Sequence, residues 1–146
     1  MMKIEFFVPG IPATAGSKRA IHNPKTGKTA VFDDCKRNKV WSSRVIDAAR
    51  EAYQGPPLSG AIHLDLWFLF PRPKCHYGTG KNANVLKASA PFHYTKKPDR
   101  CKLERCIEDA LTGIIWKDDS QVIDGAIRKS WTELTPGAKV TIETLE

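Results

Sequence analysis

Three aspartates stand where metal-assisted chemistry on a phosphodiester would need them. Asp99 follows Pro98 near the head of the segment KPDRCKLERCIEDALTGIIWKDDSQV, residues 97–122, and Asp118-Asp119 form a polar corner near its end. Carboxylate oxygens are the ligands that Mg2+ prefers, and a bound metal can both activate water and neutralise charge on a scissile phosphate. If the corner folds back beside the start of the segment, Asp99 and the Asp118-Asp119 pair meet around one divalent cation. The plainer reading gives Asp99 to helix capping and the pair to a surface turn.

A helix has to position these groups. Leu103, Ile107, Ala110, Leu111 and Ile114 recur at helical spacing, while Lys102, Arg105 and Asp109 share another face. Asp99 sits at the N-cap position and Gly113 where a left-handed helix end prefers glycine. Ahead of this unit, Ile4, Phe6 and Val8 alternate as a strand, and Lys18 to Phe32 reads as a small hairpin around Asn23-Pro24-Lys25-Thr26-Gly27. A second helix is expected from Lys36 to Tyr53, with Trp41, Val45, Ala48, Ala49 and Ala52 inward. Ile62 to Phe70 alternates as a strand, with His63 and Asp65 on its polar face. Asp65 is a weaker candidate for the metal site. Val122 to Trp131 reads as one further strand, and Lys139 to Leu145 as the last. The sum is an α+β, two-layer fold: a mixed or antiparallel sheet of about four strands, two main helices and a long basic loop, forming one domain over residues 1–146.

The charge points to a polyanionic partner. Twenty-three Lys and Arg against 16 Asp and Glu give a net +7, a balance that favours nucleic acid. Lys18 and Arg19 lie on the hairpin with Lys25 and Lys28. Residues 71–97 hold Arg72, Lys74, Lys81, Lys87, Lys96 and Lys97 without one acidic residue, interleaved with His76, Tyr77, Phe92, His93 and Tyr94. A long basic loop of this kind suits a mobile arm laid along DNA, its ammonium groups on phosphates and its rings against exposed bases. The four cysteines, Cys35, Cys75, Cys101 and Cys106, form no CxxC pair, and with His76 and His93 they match no compact zinc spacing. Reduced thiols, no long apolar span and no signal-peptide pattern lead to the expectation of a soluble, cytoplasmic protein with no membrane partner.

Lys97-Pro98-Asp99 through Lys102-Leu103, then Asp109-Ala110-Leu111-Thr112-Gly113, then Asp118 to Val122 together resemble the RusA family of Holliday-junction resolvases. Pro12 to Arg19, and Pro71 to Gly80 with Leu86 to Pro91, resemble its longer, often phage-borne members. The resemblance implies a homodimeric, Mg2+-dependent endodeoxyribonuclease, Mn2+ being an alternative ion, that nicks opposed strands of a four-way DNA junction. It assigns Asp99 and Asp119 to the metal and Arg105 to the place of a catalytic lysine; Asp118 is a candidate further metal ligand. Lys102 and Arg105 would offset charge on the phosphate. Cys101 stands where the family has a second aspartate, and Lys102 where it has asparagine. A thiol is a poor ligand for a hard cation. Asp118, Glu104 and Asp65 are the substitutes the sequence offers, and the alternative is a branched-DNA-binding protein whose catalysis Cys101 has impaired.

Overall fold

The computed structural model describes residues 1–14, 18–33 and 36–145, with side chains described for 1–14, 22–28 and 38–145. Its centre is the alternating run expected as a strand. Ile62, Leu64, Leu66, Phe68 and Phe70 are all buried along β4 (Ile62–Pro71), and the residues between them are not. A strand with one apolar face needs neighbours on both edges and a layer over that face. β7 (Gly137–Thr144) pairs antiparallel with one edge of β4, and β1 (Lys3–Pro9) pairs antiparallel with β7. On the other edge β5 (Val122–Asp124) and β6 (Ile127–Thr132) run parallel to β4.

Residues 122–131 are therefore not one strand. Gly125 takes φ +140°, and a Cβ there would lie 1.7 Å from the Leu64 carbonyl oxygen. Backbone approaches backbone too closely for any side chain, so the register breaks between β5 and β6. Ile123, which shares the sequence parity of Ile127 and Trp131, is 61% exposed in consequence. The hairpin forms as expected, β2 (Lys18–Asn23) against β3 (Lys28–Asp33), in a separate two-stranded sheet.

Two helices cover the apolar face. α1 (Lys36–Ala52) buries Trp41, Val45 and Ala49, half-buries Ala48 and leaves Ala52 exposed at its end. α2 (Arg100–Leu111) buries Leu103, Cys106, Ile107 and Leu111. The two meet where the Cys106 thiol donates to Asn38 Oδ1 at 3.1 Å. The observed fold is α+β, with two helices on a mixed sheet of five strands. Among the described residues no helix is long and apolar enough to cross a membrane. Cys75, Cys101 and Cys106 form no disulfide among the described residues, and Cys35 lies outside them.

Candidate active site

Asp99 occupies the N-cap of α2 in extended conformation, φ −68° and ψ 144°, and its carbonyl accepts from Leu103 N at 3.1 Å. The expected side-chain cap is absent. The carboxylate turns outward instead, with Oδ2 3.7 Å from Lys102 Nζ one helical turn along, both groups more than half exposed. An exposed pair of this kind contributes less than about 1 kcal/mol, so Asp99 is held loosely.

The corner that carries Asp119 is held firmly. Ile115 and Trp116 are fully buried beneath it, and Gly113, at φ +87°, turns the chain out of α2 so that its N–H reaches the Trp116 carbonyl at 2.7 Å. Gln121 then spans two segments. Its Oε1 accepts from Lys117 N and Asp118 N at 2.9 Å each, and its Nε2 donates to the carbonyls of Leu58 at 2.9 Å and Gly60 at 3.0 Å. Asp118 is engaged in a capping box with Gln121, its Oδ1 accepting from Ser120 N at 2.9 Å. That backbone hydrogen bond holds its carboxyl below the usual aspartate range. Asp118 serves the turn through this box, and Asp119, the first residue of the short 3-10 turn Asp119–Gln121, has its side chain hydrogen-bonded to Asp118.

What Asp119 approaches is α2, at a residue the sequence reading passed over. Glu108 has its pKa pushed up to about 7 by partial burial first, then by the charge and hydrogen bond of Glu104, then by the charges of Asp119 and Asp109. The signal was present in the spacing. Cys101, Glu104, Arg105 and Glu108 fall at i, i+3, i+4 and i+7, one stripe along the helix. The stripe whose first position lacks the family carboxylate therefore carries carboxylates one and two turns further on. Among the described residues, no hydrogen bond or ion pair joins Asp99 to Asp119.

A second acidic group lies at the β4–β5 edge and has a different character. His63 places Nδ1 2.6 Å from Asp124 Oδ1 and Nε2 3.0 Å from Asp65 Oδ2, while Asp65 Oδ1 accepts from Ala126 N at 2.8 Å. The hydrogen bonds to Asp124 and then Asp65 raise the histidine's pKa, and the Ala126 N–H lowers that of Asp65. Asp65 is committed to this edge and is not an available substitute ligand.

The basic loop is anchored rather than loose. Tyr94 stacks on Phe70, with centroids 4.5 Å apart, and meets Trp131 edge to face at 4.4 Å. His76 packs edge-on against Trp131 at 4.8 Å. Arg72 Nη1 donates to the Pro91 carbonyl at 2.8 Å, with its guanidinium 5.5 Å from the Trp131 ring centroid, so this cation is largely spent on the loop itself. Lys74, Lys81, Lys87, Lys96 and Lys97 remain exposed. Burial, and then the charges of Arg72, Lys96 and Lys87, depress the pKa of His76, which marks a locally positive field. Lys129 was also missed. It lies on the inward parity of β6 and donates to the carbonyls of Lys96 at 2.9 Å and Pro98 at 3.0 Å, tying the end of the loop to the residue before Asp99. Lys18 and Arg19 lie on β2, with side chains outside those described.

Among the described residues no group of three or more His, Cys, Asp or Glu side chains is arranged to hold a metal ion. Mg2+ does not require one, because it keeps several waters and binds through one or two carboxylates plus substrate phosphate. Glu104, Glu108 and Asp119 are all oxygen donors, the ligand type that Mg2+ prefers. A family model described as Endodeoxyribonuclease RusA matches residues 9–143. The uncharacterized protein YqaN of Bacillus subtilis (strain 168) is 28% identical over 130 residues, covering 89% of each chain.

Proposed function

Because the chain belongs to the RusA endodeoxyribonuclease family, we propose that it is a Mg2+-dependent, homodimeric nuclease that resolves four-way DNA junctions by paired hydrolysis in the cytoplasm. One observation carries the assignment of the site. Asp119, fixed by the Gln121 staple, lies close enough to the Glu104–Glu108 pair to help push a carboxyl to about 7. In this reading Asp119 and Glu108 hold the ion, Glu104 supports them, and Asp99 joins when the phosphate draws Lys102 away. Asp118 keeps the turn in shape. When bound, Mg2+ supplies charge neutralisation at the phosphate and lowers the pKa of water. Arg105, on the same helical stripe, keeps a fixed charge and clamps the phosphoryl oxygens rather than donating a proton. Lys102 offsets charge on the same phosphate.

Binding falls to the exposed cations. Lys74, Lys81, Lys87, Lys96 and Lys97, with Lys18 and Arg19 of the hairpin, meet phosphates, and their contribution is additive and salt-dependent. Arg72 acts by holding the loop. A two-fold dimer presents two equivalent sites to the paired strands of a junction.

The second reading is a junction-binding protein whose catalysis is impaired, favoured by the exposed Cys101 in place of a carboxylate. Incubating a labelled four-way junction with the protein and Mg2+ or Mn2+ separates the two. Symmetric nicks by the wild type support the nuclease. Binding without nicking, with activity appearing in Cys101→Asp, supports the alternative.

A further inference from the structure

Phe92 is 82% exposed at the far side of the basic loop. A single exposed apolar side chain needs no explanation by itself. This one differs because the backbone on both sides of it is tied to the body of the protein. The Pro91 carbonyl accepts from Arg72 Nη1 at 2.8 Å, and the His93 carbonyl accepts from Trp131 Nε1 at 3.3 Å. Tyr94 continues the anchor into the Phe70–Trp131 cluster. The ring meets the edge of His93, with centroids 4.9 Å apart and planes at 88°. A chain with that much freedom removed holds its phenyl ring outward instead of folding it onto the apolar cluster beside it.

The surroundings say what the ring would meet. Lys87, Lys96 and Lys97 are exposed in the same loop, and no Asp or Glu occurs between residues 71 and 98. A ring presented in a loop of exposed ammonium groups suits nucleic acid, since the cations take the phosphates and every base offers a flat face for stacking. In an intact duplex those faces are covered. At a branch point they are exposed or weakly stacked, and an apolar wedge inserts there at lowest cost.

We propose that Phe92 stacks on a base at the branch point of the DNA, so that it confers preference for branched over linear substrate while the lysines supply affinity common to both. This rests on the junction-binding reading above and names the group that recognises the branch. Preordering of the loop by Arg72 and Trp131 lowers the entropic cost of the insertion.

The test compares Phe92→Ala and Phe92→Trp with the wild type, using a four-way junction and a linear duplex of the same sequence, in buffer with EDTA so that nothing is cut. A 2-aminopurine placed at the branch reports stacking. Phe92→Ala should lower affinity for the junction roughly tenfold, the scale of one lost base stack. It should leave duplex affinity unchanged and abolish the fluorescence change at the branch, and Phe92→Trp should retain all three properties. Circular dichroism confirms that the exposed substitutions leave the fold intact. If Phe92→Ala keeps both the wild-type preference and the fluorescence change, the role given to Phe92 is overturned and the nuclease reading stands. If the wild type itself shows no preference and no fluorescence change, both fall. If preference is lost in Phe92→Ala but Mg2+ never produces nicks, the nuclease reading fails and the role of Phe92 holds.

Discussion

The two acidic groups of this protein are built from the same side-chain types and behave in opposite ways. At the β4–β5 edge Asp65 and Asp124 flank His63, and each has a donor: the imidazole for both, and the Ala126 N–H as well for Asp65. Asp65 is pushed toward ionisation and His63 toward protonation, so an imidazolium there offsets part of the charge of its two carboxylates. On α2, burial first, then the charge and hydrogen bond of Glu104 and the charges of Asp119 and Asp109, raise Glu108 to about 7. Unbalanced negative charge, held together by a buried Trp116 and a Gln121 staple, is a cost to the free protein that a cation would relieve.

Substitution at each group should sharpen that contrast, and the largest effect is expected on activity. Asp119→Asn should reduce Mg2+-dependent nicking of a four-way junction on the order of a thousandfold, several kcal/mol of lost charge stabilisation. Asp124→Asn should leave nicking within a factor of about two, since surface changes away from the site cost little. Equal losses in both variants would erase the distinction.

A smaller effect is expected on stability, with opposite signs. Glu108 takes up protons more readily in the folded state, where its pKa is about 7 against 4.5 for a free glutamate side chain. Its ionisation therefore costs stability progressively as pH rises from 4.5 to 7, and the whole penalty is present above that window. Glu108→Gln should raise Tm by a few degrees at pH 8 and not at pH 4.5. His63 also has a raised pKa, and its partnership with Asp124 and Asp65 stabilises fully below the unfolded value of 6.5 and fades as pH rises through the folded one. His63→Gln should lower stability by less than about 1 kcal/mol at pH 6, with a smaller loss at pH 9. Thermal denaturation at these pH values checks both.

Periodicity made the scaffold legible. The apolar alternation of Ile62 to Phe70 and the helical spacing of Trp41, Val45 and Ala49 are local patterns, and the elements they form match the expected bounds to within a residue. The site was half legible. Asp99 is at the N-cap position, but whether its carboxylate folds back or swings out to Lys102 depends on side chains, not spacing. Asp118 and Asp119 look alike in sequence, and the capping box with Gln121 is what gives the backbone-capping role to Asp118. Glu108 was passed over because its importance comes from Asp119, which approaches α2 only after the chain has turned at Gly113. The break at Gly125 was hidden because the alternation of residues 122–131 is intact, and only the close approach to Leu64 makes glycine necessary there. Lys129 left a readable trace: a lysine on the inward parity of a strand needs partners, and it found two loop carbonyls.

The central claim is that the uncompensated carboxylates, and not the compensated ones, receive a divalent ion. Titrating Mn2+ into the free protein at pH 7, followed by its electron paramagnetic resonance signal and by proton release, tests this directly. Wild type and Asp124→Asn should bind Mn2+ and expel part of a proton as Glu108 ionises, while Asp119→Asn and Glu108→Gln should bind at least tenfold more weakly, the latter without proton release. Undiminished binding in Asp119→Asn and Glu108→Gln, or binding lost in Asp124→Asn instead, would contradict the account.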